Sequence, residues 1–346
     1  MASLTTPHER ALTLLFAELE RSAAEQGDVF PGTPGTIAER SNAQGTRYWV
    51  HRYSDAAGRR QEEYLVRLDA PGAAVRVDTL RKRIDAANAM IGSVRLLARA
   101  GFATVDRKTY FTLASLHNHR LFEAGAFLIG SHAYGALLNA LGVRAVPYAT
   151  EDLDIARGSA LAVAATIPSF FEMLRATGIE YFEVPALRRR QPSTSFAERG
   201  RSRLRVDLLA PSRGEQYPVV AVPELRAYAK GLPYLGFLLG ASQKVPVLSA
   251  HGVVTVRTPI PERFAIHKLI VSQLREKTSS KPEKDLIQAA TLIDALAGRF
   301  PGAIEDALAA APRSAKRYLT RAGKALTAHL PGSAEAAWEA LASIAG

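Results

Sequence analysis

A short apolar segment that carries two acidic side chains constrains the fold of this chain most. In 151–156 (EDLDIA), Asp152 and Asp154 alternate with Leu153 and Ile155. Alternate side chains of a β-strand share a face, so the two acids point one way and the apolar pair enters a core. Two such carboxylates repel each other, and a hard divalent cation is their natural counter-charge. The alternative is an edge strand with a solvated polar face.

Two further segments favour the cation. Residues 205–209 (RVDLL) place a third acid, Asp207, inside another apolar strand, where a lone carboxylate is costly. Residues 127–131 (FLIGS) are typical of a strand that ends in Gly130 and Ser131, directly before a helix. Backbone N–H groups and a hydroxyl at a helix N-terminus suit a phosphate group. The three segments together therefore favour a metal and phosphate site.

The hydrophobic pattern divides the chain into three predicted regions: 1–109, 110–215 and 216–346. The first holds an amphipathic helix near 7–26, a hairpin of strands 47–53 and 61–66, and a long helix at 78–100. The second alternates helices, one of them at 160–176, with strands, including an antiparallel pair at 181–184 and 204–209. The third holds strands at 234–256 and then helices, the first two at 261–275 and 282–297. This order predicts an α+β fold and argues against a doubly wound sheet.

Composition narrows the class of protein. A length of 346 residues suits two or three domains. Cysteine is absent, which excludes disulfides, zinc–cysteine sites and a thiolate nucleophile and suits a reducing cytoplasm. Acids at Glu9, Glu18 and Glu20 interrupt the first apolar stretch, so we expect no signal peptide. No apolar run approaches the roughly 18 residues of a membrane helix. We therefore expect a cytoplasmic protein without a membrane span.

The basic residues allow two interpretations. A formal net charge of +11 suits either affinity for polyanions or an arginine-rich genome. Seven arginines lie in the stretch before the third acid: Arg188, Arg189, Arg190, Arg199, Arg201, Arg203 and Arg205. This stretch is either a loop that binds the acceptor or a solvated charged loop. In the hairpin, Trp49, Tyr48 and Tyr53 lie among arginines. That pattern suits either single-stranded nucleic acid or cross-strand aromatic packing.

The acidic and glycine motifs together resemble the DNA polymerase β-like nucleotidyltransferase superfamily. Its signature is a strand ending in Gly-Ser, a helix, a strand with Asp-x-Asp, and a later strand with one more Asp. The matching residues here are Gly130, Ser131, Asp152, Asp154 and Asp207. The resemblance covers about 110–210. It implies a polymerase β-like core of mixed sheet and helices, followed by a helical C-terminal domain and preceded by the helix and hairpin.

Two features favour a bacterial subgroup related to abortive-infection and toxin–antitoxin enzymes. Ile129 replaces the first glycine of the common Gly-Gly-Ser, and the connection 132–151 is long. The segments 261–269 (PERFAIHKL) and 281–285 (KPEKD) resemble that subgroup's helical motifs. The resemblance implies that Lys268 contacts nucleotide phosphates and that Asp285 lines the site. Taken alone, Lys268 is typical of a surface lysine and Asp285 of a helix first turn.

The resemblance also implies a reaction. Two Mg²⁺ ions, or Mn²⁺, lie between Asp152 and Asp154, and one also uses Asp207, which helps deprotonate the attacking hydroxyl. Gly130 and Ser131 hold the outer phosphates of an NTP. The nucleotide passes to an acceptor, RNA or tRNA, on the side of the site where we expect the following arginines: Arg188, Arg189, Arg190, Arg201, Arg203 and Arg205.

A toxin restrained by an antitoxin-like protein fits the same subgroup. Two other functions stay open, a protein side chain as the acceptor and a non-catalytic nucleic-acid-binding scaffold. The three intact acids weigh against the scaffold, because unpaired clustered carboxylates destabilise a fold.

Overall fold

The computed structural model describes residues 4–146, 150–158, 161, 167–186, 190–200, 204–214, 216–275, 281–297 and 299–326. Its helices are α1 (Arg10–Glu25), α2 (Ala73–Arg99), α3 (Arg107–Asn118), α4 (Gly130–Ala140), α5 (Phe170–Arg175), α6 (Leu235–Leu238), α7 (Pro261–Leu274), α8 (Lys281–Ala297), α9 (Ala303–Ala309) and α10 (Lys316–Leu326). Its strands are β1 (Thr6–Pro7), β2 (Thr36–Ser41), β3 (Arg47–Ser54), β4 (Arg60–Arg67), β5 (Ala126–Ile129), β6 (Val143–Arg144), β7 (Asp152–Arg157), β8 (Tyr181–Glu183), β9 (Ser195–Glu198), β10 (Arg205–Pro211), β11 (Val219–Val222), β12 (Ala227–Leu232), β13 (Ser242–Ser249) and β14 (Gly252–Pro259).

Seven of the described strands form one mixed sheet in the order β11-β12-β10-β7-β5, with β9 beside β10 and β8 beside β9. Strand β10 pairs in parallel with β7 and β12, whereas β5 is antiparallel to β7 and β9 is antiparallel to β10. The predicted α+β class, with a mixed sheet and helices, is confirmed.

Alternation fixes which side of the central strands faces the core. Leu153 and Ile155 on β7, and Val206 and Leu208 on β10, are completely buried. The acidic positions between them therefore share the opposite face. Burial of two adjacent apolar strands stabilises the sheet and leaves the acids no freedom to change sides, because a shift of one residue would expose the core.

The sheet continues beyond residue 215. Strands β11 and β12 extend its β10 edge, and helices α7, α8, α9 and α10 contribute to the same hydrophobic core. The predicted boundary between 215 and 216 thus falls inside one sheet. The hairpin of β13 and β14 forms a separate sheet, and Leu248 and Val253 in it pack with α1 and α2 around Phe16 and Leu97.

The N-terminal hairpin is part of a three-stranded sheet. Its two predicted strands are β3 and β4, and β2, which the sequence pattern did not indicate, pairs with β3. One face packs against α2 through Trp49, Val66 and Val77. The turn between β3 and β4 reaches the large core, where Ala56 is buried.

One predicted strand pairing and the length of one predicted helix were wrong. The strands at 181–184 and 204–209 do not pair with each other, because β9 lies between β8 and β10. Strand β10 is buried on its core face and needs a neighbour on each edge, which β7 supplies on one side and β9 and β12 supply on the other.

The helix predicted at 160–176 is also shorter than expected. Among the described residues of that stretch, only Phe170–Arg175 is helical, because Ser169 and Glu172 form a capping box that starts the helix there. Residues 160 and 162–166 of the prediction lie outside the described residues. Among the helices that are described, none is long and apolar enough to cross a membrane.

Candidate active site

Parallel pairing of β7 with β10 brings the predicted acids together. Asp207 lies directly beside Asp154, and Arg205 lies beside Asp152. These four side chains occupy the face of the sheet opposite the buried leucines. Asp152 is exposed, whereas Asp154 and Asp207 are partly buried. Three carboxylates and one guanidinium therefore lie on the same face of the sheet, at neighbouring positions of β7 and β10.

Arg205 supplies a positive charge next to these three carboxylates. Its Nε donates to Oδ1 of Asp207 at 2.8 Å, and its Nη2 donates to Oγ of Ser195 on β9 at 2.7 Å. Residues two apart on a strand share a face, so this ion pair is a local consequence of the sequence Arg-Val-Asp. The predicted acceptor role of Arg205 thus competes with a contact to a carboxylate of the site.

Gly130 and Ser131 lie at the carboxyl end of β5, next to the acids. Ile129 pairs with Asp154, and Gly130 follows it with φ +70° at the start of α4. A Cβ on Gly130 would overlap the carboxylate of Asp154. Glycine is therefore required twice here, for its backbone conformation and for the close approach of the carboxylate.

The pKa of Asp154 is shifted by its burial and by the neighbouring acids. Burial, followed by the negative charges of Asp207 and Asp152, raises the pKa of Asp154 to about 6, while Lys268 and Arg275 oppose the shift. An acid with this shift is costly to ionise at neutral pH, so the folded site favours any added positive charge.

Helices α7 and α8 supply a second group of charges. Nζ of Lys268 donates to Oδ1 of Asp285 at 2.7 Å, and Nε of Arg275 lies 2.6 Å from Oδ2 of the same carboxylate. Lys268 and Asp285 are both buried, and the Lys268 ammonium also lies over the Phe264 ring. Both residues thus lie in one ion pair rather than on the surface, and Lys268 acts electrostatically on Asp154.

The helices and strands of this site all lie within one segment that matches a known family. A family model described as nucleotidyltransferase matches residues 107–312, which is more than half of the chain. The chain belongs to this nucleotidyltransferase family. It is therefore a nucleotidyltransferase enzyme. No curated protein and no solved structure matches the chain significantly.

Two basic residues and one histidine of the nucleotidyltransferase were not predicted from its sequence. Burial and then the charge of Lys268 lower the pKa of Lys284, while Asp285, Asp152 and Asp154 raise it, so Lys284 lies within electrostatic reach of the acids. Arg275 follows Lys268 by two helical turns, a spacing that could have indicated a shared face. His132 has a pKa lowered to about 4, mainly by burial, and lines a cavity of about 560 Å³ with Ser131 and Thr150.

The predicted arginines divide into two groups. Arg188, Arg189, Arg201 and Arg203 lie outside the described residues. Arg190 is exposed, and Arg205 contacts Asp207 as described above.

The donor chemistry of the nucleotidyltransferase fits a hard divalent cation. Asp154 and Asp207 lie side by side, their charges raise the cost of ionising Asp154, and carboxylate oxygens are the ligands that Mg²⁺ prefers. Among the residues that the structure describes, no three His, Cys, Asp or Glu side chains lie close enough together to hold a metal ion. One oxygen of Asp207 accepts a hydrogen bond from Arg205.

Replacing Gly130 tests the close approach to Asp154. Gly130→Ala combines a strained backbone with an overlap on the carboxylate, and we expect it to lower the free energy of unfolding by about 1–3 kcal/mol. It should also lower the transfer rate by displacing Asp154. Urea denaturation and a transfer assay measure the two effects. Gly45→Ala is the matched control, because Gly45 has φ +80° and no neighbour within 4 Å. Equal effects of the two substitutions on both measurements would contradict the assignment.

The raised pKa of Asp154 gives a pH-dependent stability. The folded carboxyl binds its proton more tightly than the unfolded one, so its contribution to stability falls as pH rises from about 4 to about 6 and stays low above that. In EDTA, Asp154→Asn should therefore raise the free energy of unfolding by about 2 kcal/mol at pH 7.5, and the gain should shrink toward pH 4.5. Urea denaturation at several pH values measures it. The exposed Asp85→Asn should show no such gain, and a gain at Asp154 that does not vary with pH would oppose this origin.

The buried pair of Lys268 and Asp285 predicts non-additive substitutions. Asp285→Leu leaves the Lys268 ammonium buried without its carboxylate and should cost about 3–5 kcal/mol of stability. The double variant Lys268→Met/Asp285→Leu should recover much of that loss, because no unpaired charge remains at either position. Chemical denaturation of the two single variants and the double variant measures the coupling. Strictly additive losses would show that the two charges do not interact.

Proposed function

We propose that this enzyme transfers a nucleoside monophosphate from an NTP to an acceptor hydroxyl of RNA, on a polymerase β-like core. The observation that carries the proposal is the side-by-side placement of Asp154 and Asp207 next to the glycine turn at Gly130. Carboxylates on adjacent strands beside a helix N-terminus suit a metal-bound triphosphate.

Asp152, Asp154 and Asp207 would hold Mg²⁺, which supplies charge neutralisation of the phosphates and lowers the pKa of the attacking hydroxyl. The oxygen of that hydroxyl bonds to the α-phosphorus of the NTP as the bond to pyrophosphate breaks, pyrophosphate leaves, and Asp207 helps to take the proton. Oδ1 of Asp207 accepts from Arg205, which leaves Oδ2 without that contact.

The triphosphate is bound by groups from two parts of the chain. The N-terminus of α4, at Gly130 and Ser131, offers backbone N–H groups and a hydroxyl. Lys268, Arg275 and Lys284 supply positive charge from α7 and the segments around it, close enough to act on Asp154 or to be acted on by it. The cavity of about 560 Å³ beside this helix N-terminus is lined by Ser131, His132 and Thr150, and the three acids do not line it.

The neutral His132 imidazole lines the same cavity. Its Nε2 is buried and has no hydrogen-bond partner among the residues that the structure describes. It is suited to a hydrogen bond with a nucleotide rather than to a charge contact with phosphate.

The choice of RNA as the acceptor rests on charge. A net charge of +11 and the arginines around β10 suit a polyanion, and we take RNA as that acceptor. A role as a toxin restrained by a partner protein is supported by the resemblance of the motifs around Lys268 and Asp285.

Asp207→Asn tests the reaction. The amide keeps the size of the side chain but can neither take the proton nor balance a cation, so we expect transfer to fall roughly 100-fold or more. The assay incubates the protein with Mg²⁺, each α-labelled NTP in turn and total bacterial RNA. Asp85→Asn, an exposed substitution with the same chemistry, should keep the full rate.

The destination of the label decides between acceptors. Label in RNA that disappears with Asp207→Asn supports the proposal. Label on protein alone would replace RNA by a protein side chain. An unchanged rate for Asp207→Asn, with its fold intact by thermal melting, would overturn the mechanism.

A further inference from the structure

The three-stranded sheet of β2, β3 and β4 has one face against α2 and one face turned away from it. Trp49, Ile37 and Val66 lie on the face that packs against Val77 of α2. His51 is buried on the same side, where it contacts the carbonyl of Pro34 and stacks with Tyr53. Trp49 and Tyr53, two of the three aromatic residues that suggested a nucleic-acid hairpin, are thus structural.

The opposite face carries a different set of side chains. A register shift between Trp49 and Val50 makes Val50 pair with Tyr64, so the strand pairing places these side chains together: Arg40, Tyr48, Arg52, Arg60, Glu62, Tyr64 and Arg67. Val50, between them, is only 2% exposed, and the ion pair of Arg40 and Glu62 joins the two strands that flank it. We call this set the arginine–tyrosine face.

Two tyrosines form the centre of the arginine–tyrosine face. The rings of Tyr48 and Tyr64 lie 5.7 Å apart at 43°, and Tyr64 is 58% exposed. An exposed ring on a sheet offers a surface on which an unpaired base can stack.

The charges of the face exceed the acids that contact them. Glu62 contacts both Arg40 at 3.0 Å and Arg52 at 3.6 Å, and Asp69 contacts Arg67 at 2.6 Å. Arg60 has no ion pair within the described part of the chain. Four arginines against two acids leave a net charge of +2 around the two tyrosines. The acids also hold the guanidinium groups in place, which reduces the entropy lost when a phosphate binds.

We infer that the arginine–tyrosine face binds single-stranded RNA and holds the acceptor of the reaction; the second part rests on the proposed function. Bases stack on Tyr64 and Tyr48, and the arginines contact the phosphates on both sides. A duplex keeps its bases paired and cannot offer them to the rings, so the face selects unpaired strands.

The arginine–tyrosine face is fixed to the catalytic region by the turn between β3 and β4. Arg59 donates to the carbonyl of Gly178 at 3.0 Å, and Arg107 of α3 donates to the carbonyls of Ala56 at 3.1 Å and Asp55 at 2.5 Å. Strand β8, which follows Gly178, joins through β9 to the strand of Asp207. An RNA on the face is therefore held by a sheet that hydrogen bonds join to the elements around the acids.

The test measures the affinity of the full chain for a labelled 12-nucleotide single-stranded RNA by fluorescence anisotropy. Tyr64→Ala should weaken binding roughly tenfold, and Tyr64→Phe, which keeps the ring, should bind like the original protein. Tyr228→Ala removes a tyrosine that is 44% exposed on β12 and is the matched control with unchanged affinity. Thermal melting of each variant shows that it is folded.

Charge is tested separately. Arg60→Glu should weaken binding and reduce the slope of log affinity against log salt by about 0.7, the value for one phosphate contact. Arg81→Glu, on the exposed side of α2, makes the same charge change away from the face and should leave the slope unchanged. Equal losses from both variants would mean a general effect of net charge and would overturn the assignment to this face.

The outcomes separate this inference from the proposed reaction. Asp207→Asn should keep RNA binding and lose transfer, whereas Tyr64→Ala should lose RNA binding and keep the thermal shift produced by Mg²⁺ and NTP. RNA affinity that depends on Tyr64 in a protein that never labels RNA would support the binding face and reject RNA as the acceptor. Affinity unchanged by Tyr64→Ala, or equal displacement by poly-glutamate and by RNA, would overturn the binding face.

Discussion

The parallel pairing of β7 with β10 places the carboxylates of Asp154 and Asp207 side by side, and the rest of the site compensates for that repulsion. The buried residues between the acids fix the register, so neither strand can slide to separate the charges. Burial adds to the cost, as the raised pKa of Asp154 shows. Folding thus concentrates negative charge at this site, and positive charge nearby lowers its cost.

The positive charges at this site come both from residues near the acids in sequence and from residues far from them in sequence. Arg205 comes from the same strand as Asp207, whereas Lys268, Arg275 and Lys284 come from the segments of α7 and α8. Asp285 contacts two of these cations, Lys268 and Arg275, so one carboxylate offsets part of the positive charge that the helices bring and allows Lys268 to stay buried. Helices α7 and α8 therefore place charge within electrostatic reach of the acids, and the family match extends over both of them to residue 312.

Local periodicity predicted much of this arrangement, and long-range packing accounts for the remainder. The faces of Asp152, Asp154 and Asp207 followed from strand alternation, which depends only on neighbours in sequence. The order of β8, β9 and β10 did not follow, because pairing depends on which edges are buried. Likewise, the extra residue Leu65 on β4, opposite the register shift, decides which side chains share the face of Tyr48, and no local pattern indicates such a bulge.

The hydrogen bonds from Arg107 to the carbonyls of Asp55 and Ala56 join the N-terminal sheet to α3. If RNA is the acceptor and is held at the tyrosines, it would reach the acids only with a set number of nucleotides between the two places. Substrate choice would then depend on the length of that segment rather than on its sequence. The products would share a common distance from the bound segment to the modified end, whatever their sequence. Lengthening the turn would change that distance while leaving both ends intact.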